Sequence, residues 1–208
     1  GLRGPAQCRT AAADVEHLRK VASFALARAV EAAVQWQKEL PRPEDHLFVS
    51  LDVASRELLR AELVQEVRHL LSSALLAKST LRLEVPEWLA MENPEHACEM
   101  LAQLRGAGAE ITLDDFGAGY SSLTYVQRFP CDSVKIDRTL MRRSADGNEA
   151  GARVVRAMVG LVHELGRKAI AEGIEGAEEV SFLRAMGCEF AQGFYYGEPM
   201  TERDVMQL

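Results

Sequence analysis

Acidic and amide side chains stand at the ends of six short apolar segments in this chain. The clearest segment is 111–113, which runs directly into Asp114 and Asp115. Strands of a parallel sheet end at a shared rim, and polar groups at that rim are typical of ligand and catalytic sites. The residues that end the other five segments are Asp52, Glu84, Asp137, Glu172 and Gln192. The pattern therefore predicts that these side chains converge on one rim of a parallel sheet.

Carboxylates that converge in one cleft repel each other, so a cation is expected among them. Lys135 supplies one positive charge, and a divalent metal ion would supply more. The sequence has no cysteine and histidine cluster with the spacing of a zinc site, and carboxylate oxygens favour Mg²⁺ or Mn²⁺. Two such ions could clamp the attacking and leaving oxygens of a phosphodiester during hydrolysis. The candidate metal ligands are Asp52, Glu84, Asp114, Asp115 and Glu172.

Two further polar residues at strand ends could act on the substrate. Lys135 could orient the nucleophilic water or neutralise a phosphate oxygen, and Gln192 could bind the substrate or a metal-bound water. Simpler interpretations stay open at this point. A lysine at a strand end can be a surface residue, and the pair Asp114 and Asp115 could only cap a turn.

The loop after the aspartate pair has the composition of a ligand-binding loop. Gly117 and Gly119 allow it to approach a ligand closely or to fold back tightly. Ser121 and Ser122 add hydroxyl groups and a helix N-terminus, where backbone N–H groups favour anions. Glu87 could reach this loop and hold it, although a glutamate favoured by a helix dipole is an equally good interpretation.

The elements that must position these residues alternate between strand and helix. Helices are predicted at about 14–38, 55–71, 93–106, 121–129, 151–165 and 177–186, and strands at 46–53, 81–85, 110–113, around 134, 168–171 and 189–192. Repeated β-α order predicts an α/β fold with a parallel sheet and helical crossovers. Six strands are two fewer than a closed (β/α)8 barrel contains. Either the barrel is open or its first strands precede Gly1.

Composition limits the functions that this chain can have. Its 208 residues suit one domain, and 48% hydrophobic and 26% charged residues are typical of a globular protein. A net charge of -7 and a pI near 5.3 argue against a surface for duplex nucleic acid, but allow a small anionic ligand held by metal. No apolar stretch approaches the roughly 20 residues of a membrane span, and no signal-peptide layout is present. The predicted location is therefore the cytoplasm.

Four motifs of this chain, in order, resemble those of EAL domains, which are bacterial phosphodiesterases and receptors for cyclic di-GMP. The motifs are the segments 114–123, 134–138, 171–175 and 192–195, within a match that runs from about Ser23 to Pro199. The resemblance implies a modified TIM (β/α)8 barrel, here a single domain over residues 1–208 without its first strand or strands. It implies hydrolysis of cyclic di-GMP to linear pGpG by two Mg²⁺ or Mn²⁺ ions, usually in a homodimer.

The resemblance assigns roles to individual positions. The metal ligands are Glu84, Asp114, Asp115 and Glu172, with Asp52 at a further ligand position. The residues assigned to catalysis are Lys135, Glu172, Asp115 and Gln192. The residues assigned to substrate binding are Arg3, Asp114, Gln192 and Pro199. The residues assigned to stabilising the loop are Glu87, Gly117, Gly119, Ser121 and Ser122.

Two departures from the family pattern bear on activity. The Glu-Ala-Leu triplet that names the family, whose glutamate is a metal ligand, is not present in these 208 residues, and the chain is expected to begin just past it. Asp52 stands where the family has an asparagine ligand, and its added negative charge could shift metal affinity. The alternative function is therefore a catalytically silent cyclic di-GMP receptor that signals to a partner. A sensor or diguanylate cyclase-like domain could precede Gly1, and upstream segments could tether the full protein to a membrane.

Overall fold

The structure is a computed structural model that describes residues 15–39, 47–58, 60–74, 76, 79–88, 93–117, 123–144 and 148–205. Strands and helices alternate through most of this range, as the sequence predicts. The strands are β1 (Val49–Asp52), β2 (Leu81–Pro86), β3 (Glu110–Phe116), β4 (Ser133–Ile136), β5 (Lys168–Glu172) and β6 (Phe190–Gln192). The helices are α1 (Val15–Glu39), α2 (Ser55–Leu58), α3 (Ala61–Ser73), α4 (Pro94–Gly106), α5 (Leu123–Arg128), α6 (Arg138–Ser144), α7 (Glu149–Glu164), α8 (Ala177–Ala185) and α9 (Glu202–Val205).

The six strands form one sheet in the order β1-β2-β3-β4-β5-β6, and every neighbouring pair is parallel. Helical crossovers between sequential strands produce this order, so the predicted parallel α/β sheet is confirmed. Within the described residues, β1 and β6 each pair with one neighbour only, which leaves a partial barrel. The expectation of a TIM-like barrel without its first strand or strands agrees with this architecture.

Alternating residues of each strand separate an apolar face of the sheet from a polar one. On β2, Leu81, Leu83 and Val85 are fully buried in the hydrophobic core, whereas Arg82 and Glu84 point to the other face. The polar face is the concave one, because the Arg82 guanidinium reaches the ring of a residue on β6, four strands away. The helices cover the convex, apolar face, and the concave face is left to hold polar groups.

The amino end of the partial barrel is filled by an arginine between two aromatic rings. The guanidinium carbon of Arg82 lies 3.4 Å from the ring centroid of Phe48 and 4.5 Å from that of Phe190. These two rings, one directly before the first strand and one in the last, are 5.3 Å apart in an edge-to-face arrangement. Arg82 Nε also donates a hydrogen bond of 2.8 Å to Glu110. The amino end is therefore packed, and the carboxyl end is the rim where a ligand can enter.

Three details of the helices differ from the sequence-based expectation. The helix expected at 55–71 is divided into α2 and α3. The short helix expected from residue 121 is seen from Leu123 onwards, because residues 118–122 lie outside the described part of the chain. Helices α6 and α9 were not predicted. Helix α6 begins directly after Asp137, whose carboxylate accepts a hydrogen bond of 2.8 Å from the Thr139 N–H. None of the described helices has the length and apolar character that a membrane crossing requires.

Candidate functional site

A bulge in β3 brings two consecutive aspartates to the same side of the sheet. The register of β3 against β4 shifts between Leu113 and Phe116, and Asp115 has a φ of 59° in the left-handed region. Consecutive side chains of a regular strand point to opposite faces, whereas a bulge redirects one of them. Left-handed backbone at a residue other than glycine is strained and is concentrated at functional sites. The bulge therefore explains how Asp114 and Asp115 both face the rim.

Carboxylates from four strands form two clusters that share Asp114. One cluster contains Asp52, Glu84 and Asp114, and the other contains Asp114, Asp115 and Glu172. In each cluster the candidate ligand oxygens lie within 4.8 Å of one another, so each cluster could hold a metal ion. The donors are all carboxylate oxygens, which suit hard divalent cations such as Mg²⁺ and Mn²⁺. Four of the six strand ends predicted to converge meet in these clusters, and the ligand set fits the metal ions that the sequence suggests.

Lys135 lies between the two clusters and contacts both of them. Its Nζ is 2.7 Å from Glu84 Oε2, 2.6 Å from Glu172 Oε1 and 3.4 Å from Asp114 Oδ1. The residue is only 3% exposed, so it is not the surface lysine that the sequence left open. Burial disfavours its charge, but the surrounding carboxylates outweigh that effect and raise the pKa of Lys135 above its usual range. The ammonium is therefore a fixed positive charge at the centre of the site.

One ammonium does not neutralise the carboxylates around it. Burial raises the pKa of Glu84, with a further contribution from Asp114, although Lys135 acts in the opposite direction. Burial also raises the pKa of Asp115, and the carboxylates of Asp114 and Asp137 add to this shift. Both shifts show that the site favours an additional cation or proton.

A cleft of about 350 Å³ opens beside the first cluster. It is large enough to take part of a nucleotide-sized ligand rather than a metal ion alone. All three members of the first cluster line this cleft, together with apolar residues of the adjoining strand ends and loops. The lining residues are Asp52, Val53, Ala54, Glu84, Pro86, Trp88, Asp114 and Asp115.

Gln192 and the residues around it complete the rim next to the second cluster. Gln192 pairs in register with Glu172, and its carbonyl oxygen accepts a hydrogen bond of 3.0 Å from the Ile174 N–H. Gly193 is packed so closely that an added Cβ would lie 2.1 Å from the Ile174 carbonyl oxygen. Pro199 lies farther along, in the exposed segment after β6, and belongs neither to the clusters nor to the cleft lining. The structure therefore brings Gln192, but not Pro199, next to the acidic clusters.

The residues predicted to stabilise the loop are described only in part. Glu87 is 8% exposed, and its backbone N–H donates a hydrogen bond of 3.1 Å to the Asp114 carbonyl oxygen. Gly117 has a φ of 90°, and an added Cβ would lie 2.6 Å from Leu140 Cδ1, so this position requires glycine. The remaining predicted residues, Gly119, Ser121, Ser122 and the substrate-binding candidate Arg3, lie outside the described residues.

Two residues have roles in the structure that the sequence did not predict. Asp137, one of the six strand-end residues, is buried and caps α6. Trp88, to which the sequence assigned no role, is 49% exposed and lines the cleft. Its signal in the sequence is its position four residues after Glu84, in the segment that follows the same strand.

Comparison with known proteins identifies relatives of this chain. The sequence model of the family described as EAL domain matches residues 1–199. Two relatives from Pseudomonas aeruginosa are Cyclic di-GMP phosphodiesterase NbdA, 36% identical over 156 residues, and Bifunctional diguanylate cyclase/cyclic di-GMP phosphodiesterase MucR, 37% identical over 158 residues. These alignments cover 75% and 76% of this chain but 20% and 23% of the relatives, so the chain spans about a fifth of their length. The solved structure "PaMucR Phosphodiesterase, c-di-GMP complex" superimposes with a TM-score of 0.87 at 32% identity, covering 99% of this chain and 81% of that chain.

Proposed function

Because this chain belongs to the EAL domain family, we propose that it is a metal-dependent phosphodiesterase that hydrolyses cyclic di-GMP to linear pGpG in bacterial second-messenger signalling. The observation that carries this proposal is the pair of carboxylate clusters that share Asp114, with the Lys135 ammonium between them. Relatives named as cyclic di-GMP phosphodiesterases, and a similar structure in complex with cyclic di-GMP, support the substrate.

The two clusters would each hold one Mg²⁺ or Mn²⁺ ion. Asp52 and Glu84 would bind the first ion, Asp115 and Glu172 the second, and Asp114 would bridge the pair. When bound, two ions of this kind lower the pKa of a water molecule and polarise the phosphodiester that it attacks. The left-handed backbone at Asp115 supports this arrangement because it lets both aspartates of β3 contribute to the carboxylate clusters.

The other residues at the rim would act on the water and the substrate. Lys135 is charged and held by Glu84 and Glu172, so it can orient the attacking water or neutralise a phosphate oxygen without moving. Gln192, paired in register with Glu172, would donate a hydrogen bond from its amide N–H to the substrate or accept one from the water.

The family resemblance also assigns residues to substrate binding and to positioning of the loop after Asp115. We assign substrate binding to Arg3 and Pro199 and stabilisation of the loop after Asp115 to a second group. That group consists of Glu87, Gly117, Gly119, Ser121 and Ser122. The burial of Glu87 and the hydrogen bond from its backbone N–H to β3 support the role assigned to it.

Incubation of the intact protein with cyclic di-GMP tests the proposal directly. Conversion to pGpG is expected with Mg²⁺ or Mn²⁺ and not with EDTA, as measured by chromatography of the products. Glu172→Gln should lower turnover by about a hundredfold or more, because it removes a charged group at the reacting centre. Glu178→Gln, the same chemical change at an exposed position of α8, serves as the matched control. Absence of pGpG at high protein concentration with both metals would contradict the enzyme assignment.

A cyclic di-GMP receptor is the second candidate function, and Asp52 is the observation that favours it. Asp52 adds a third carboxylate to the first cluster at a position where the resemblance leads us to expect a neutral ligand. Calorimetry that shows tight binding of cyclic di-GMP in Ca²⁺, together with no turnover in Mg²⁺ or Mn²⁺, would favour the receptor. Failure to bind the dinucleotide would contradict both functions. In either case we propose a homodimer, and a neighbouring cyclase-like or sensor domain of the kind implied by the name of MucR.

A further inference from the structure

Trp88 differs from the other exposed large apolar residues in its position. It is 49% exposed and lines the cleft together with all three residues of the first carboxylate cluster. Of the exposed large apolar side chains in the described chain, it alone belongs to the cleft lining; the others are Val21, Phe24, Val154, Phe194, Tyr195, Tyr196 and Met200. An indole that is half exposed to solvent adds little to the core, so its place beside a polar cleft points to a ligand.

The backbone before Trp88 is fixed to the strands that carry the acidic residues. Val85 is fully buried, and Pro86 restricts the backbone at the end of β2. Glu87 is buried as well, and its N–H donates to the carbonyl oxygen of Asp114. The indole is therefore presented from a rigid point next to Glu84 and Asp114 rather than from a free loop tip. Presenting an aromatic ring from a fixed backbone lowers the entropy cost of binding.

We propose that Trp88 is a base-stacking residue, which packs its indole against one guanine of the cyclic dinucleotide while the phosphodiester lies over the carboxylate clusters. This inference rests on the proposed function. The clusters and Lys135 recognise phosphate and metal, and neither distinguishes a nucleotide from any other phosphodiester. The aromatic face of Trp88 supplies the missing recognition of a planar base. Stacking tolerates every base, so Trp88 contributes affinity for a nucleotide more than a choice between purines.

A tryptophan reporter makes the contact visible. The chain has two tryptophans, and the Trp36 Nε1 has no hydrogen-bond acceptor among the described residues. Trp36→Phe therefore removes no hydrogen bond within that part of the chain, and it leaves Trp88 as the only indole. Titration of this variant with cyclic di-GMP in Ca²⁺ should quench its fluorescence to saturation. The converse variant, Trp88→Phe, keeps Trp36 and should show no saturable quenching.

Calorimetry with substituted proteins measures the contribution of the ring. Trp88→Ala should weaken cyclic di-GMP binding by about 5- to 100-fold, and Trp88→Phe by no more than about threefold, since stacking persists in the smaller ring. The Mn²⁺ affinity of Trp88→Ala should equal that of the wild type, which shows that the rim is folded.

The outcomes separate this inference from the function on which it rests. If cyclic di-GMP binds Trp88→Ala within twofold of the wild-type affinity, or binds the reporter without quenching, the stacking role is wrong and the proposed function stands. If Trp88→Ala changes the molar mass of the protein in solution instead, Trp88 contacts protein and the inference is overturned. If the wild type binds Mn²⁺ but not cyclic di-GMP, the inference and the proposed function fall together.

Discussion

Replacing Lys135 with methionine should change stability and metal affinity in opposite directions. Lys135→Met removes the ammonium but retains most of the volume of the buried side chain. Glu84, which is 7% exposed, then loses its nearest positive charge, and so do Glu172 and Asp114. Removing one partner of a buried ion pair typically costs about 3–5 kcal/mol. The free energy of unfolding in EDTA should therefore fall by about that amount.

Metal binding should strengthen in the same variant. A divalent ion and an ammonium about 5 Å apart repel each other by about 1.7 kcal/mol even at the dielectric constant of water, which is a factor of roughly 15 in affinity. Removing the ammonium should raise Mn²⁺ affinity by about tenfold, and saturating Mn²⁺ should restore part of the lost stability. Turnover of cyclic di-GMP should nevertheless fall by about a hundredfold or more, because the fixed donor at the reaction centre is gone.

Urea unfolding and calorimetry check the two halves of this prediction. Unfolding curves are recorded at pH 7.5 in EDTA and in saturating Mn²⁺, and Mn²⁺ affinity is measured by titration. Lys168→Met is the matched control, because Lys168 lies exposed at the amino end of β5, away from the clusters. It should change the free energy of unfolding by less than about 1 kcal/mol. An Lys135→Met variant with wild-type stability in EDTA, or with weaker Mn²⁺ binding, would refute the role of Lys135 as the balancing charge.

Three further substitutions test the surroundings of the site. Gly193→Ala should lower the free energy of unfolding by at least about 2 kcal/mol, since the added Cβ would overlap the backbone of Ile174. Gly106→Ala is the control, because Gly106 has open space around it and the protein should not be destabilised. Urea unfolding measures the stability of both variants. Asp52→Asn should weaken Mn²⁺ binding about tenfold, because one of three carboxylates in its cluster loses its charge, and unchanged affinity in calorimetry would show that the charge of Asp52 does not contribute to metal binding. Burial opposes ionisation of Glu189, but hydrogen bonds from backbone and histidine outweigh it and lower its pKa. Its contribution to stability is therefore present at neutral pH and is lost as pH falls through the folded-state pKa, below about 4.5. Glu189→Gln should cost at most about 1 kcal/mol at pH 7, since the side chain is 37% exposed, and a cost that does not diminish as the pH is lowered below about 4.5 would contradict this account.

The parallel sheet could be predicted because local patterns and topology agree in this chain. Segments such as 81–85 alternate apolar and polar residues, and each is followed by a helical pattern, which leaves few arrangements other than a parallel sheet with crossovers. Helix α6 escaped prediction because its only clear local signal is the cap at Asp137. The same residue was counted with the strand ends of the site, and a single aspartate between a strand and a helix fits both patterns.

The geometry of the site could be predicted only in outline. The sequence places Asp114 and Asp115 at a strand end, but a regular strand would send them to opposite faces. Their shared orientation depends on the bulge and on the left-handed backbone at Asp115, which no residue type in this segment requires. The contacts of Lys135 depend on the register of β4 between its neighbours. The place of Trp88 in the cleft depends on the hydrogen bond that the N–H of Glu87, the residue before it, donates to Asp114 of β3. These are tertiary constraints, and local composition does not contain them.

Charge balance connects the two clusters to the number of ions that they would hold. The clusters contain five carboxylates and enclose one ammonium, so five negative charges against one positive leave a net charge of -4. Burial and the neighbouring carboxylates raise the pKa values of Glu84 and Asp115, as expected where negative charge is in excess. A single divalent ion would leave half of the excess in place, whereas two would neutralise it. If Asp52 were neutral, two ions would overcompensate the described carboxylates by one charge. The added charge of Asp52 is therefore compatible with the two divalent ions that the proposed function would place around the ammonium of Lys135.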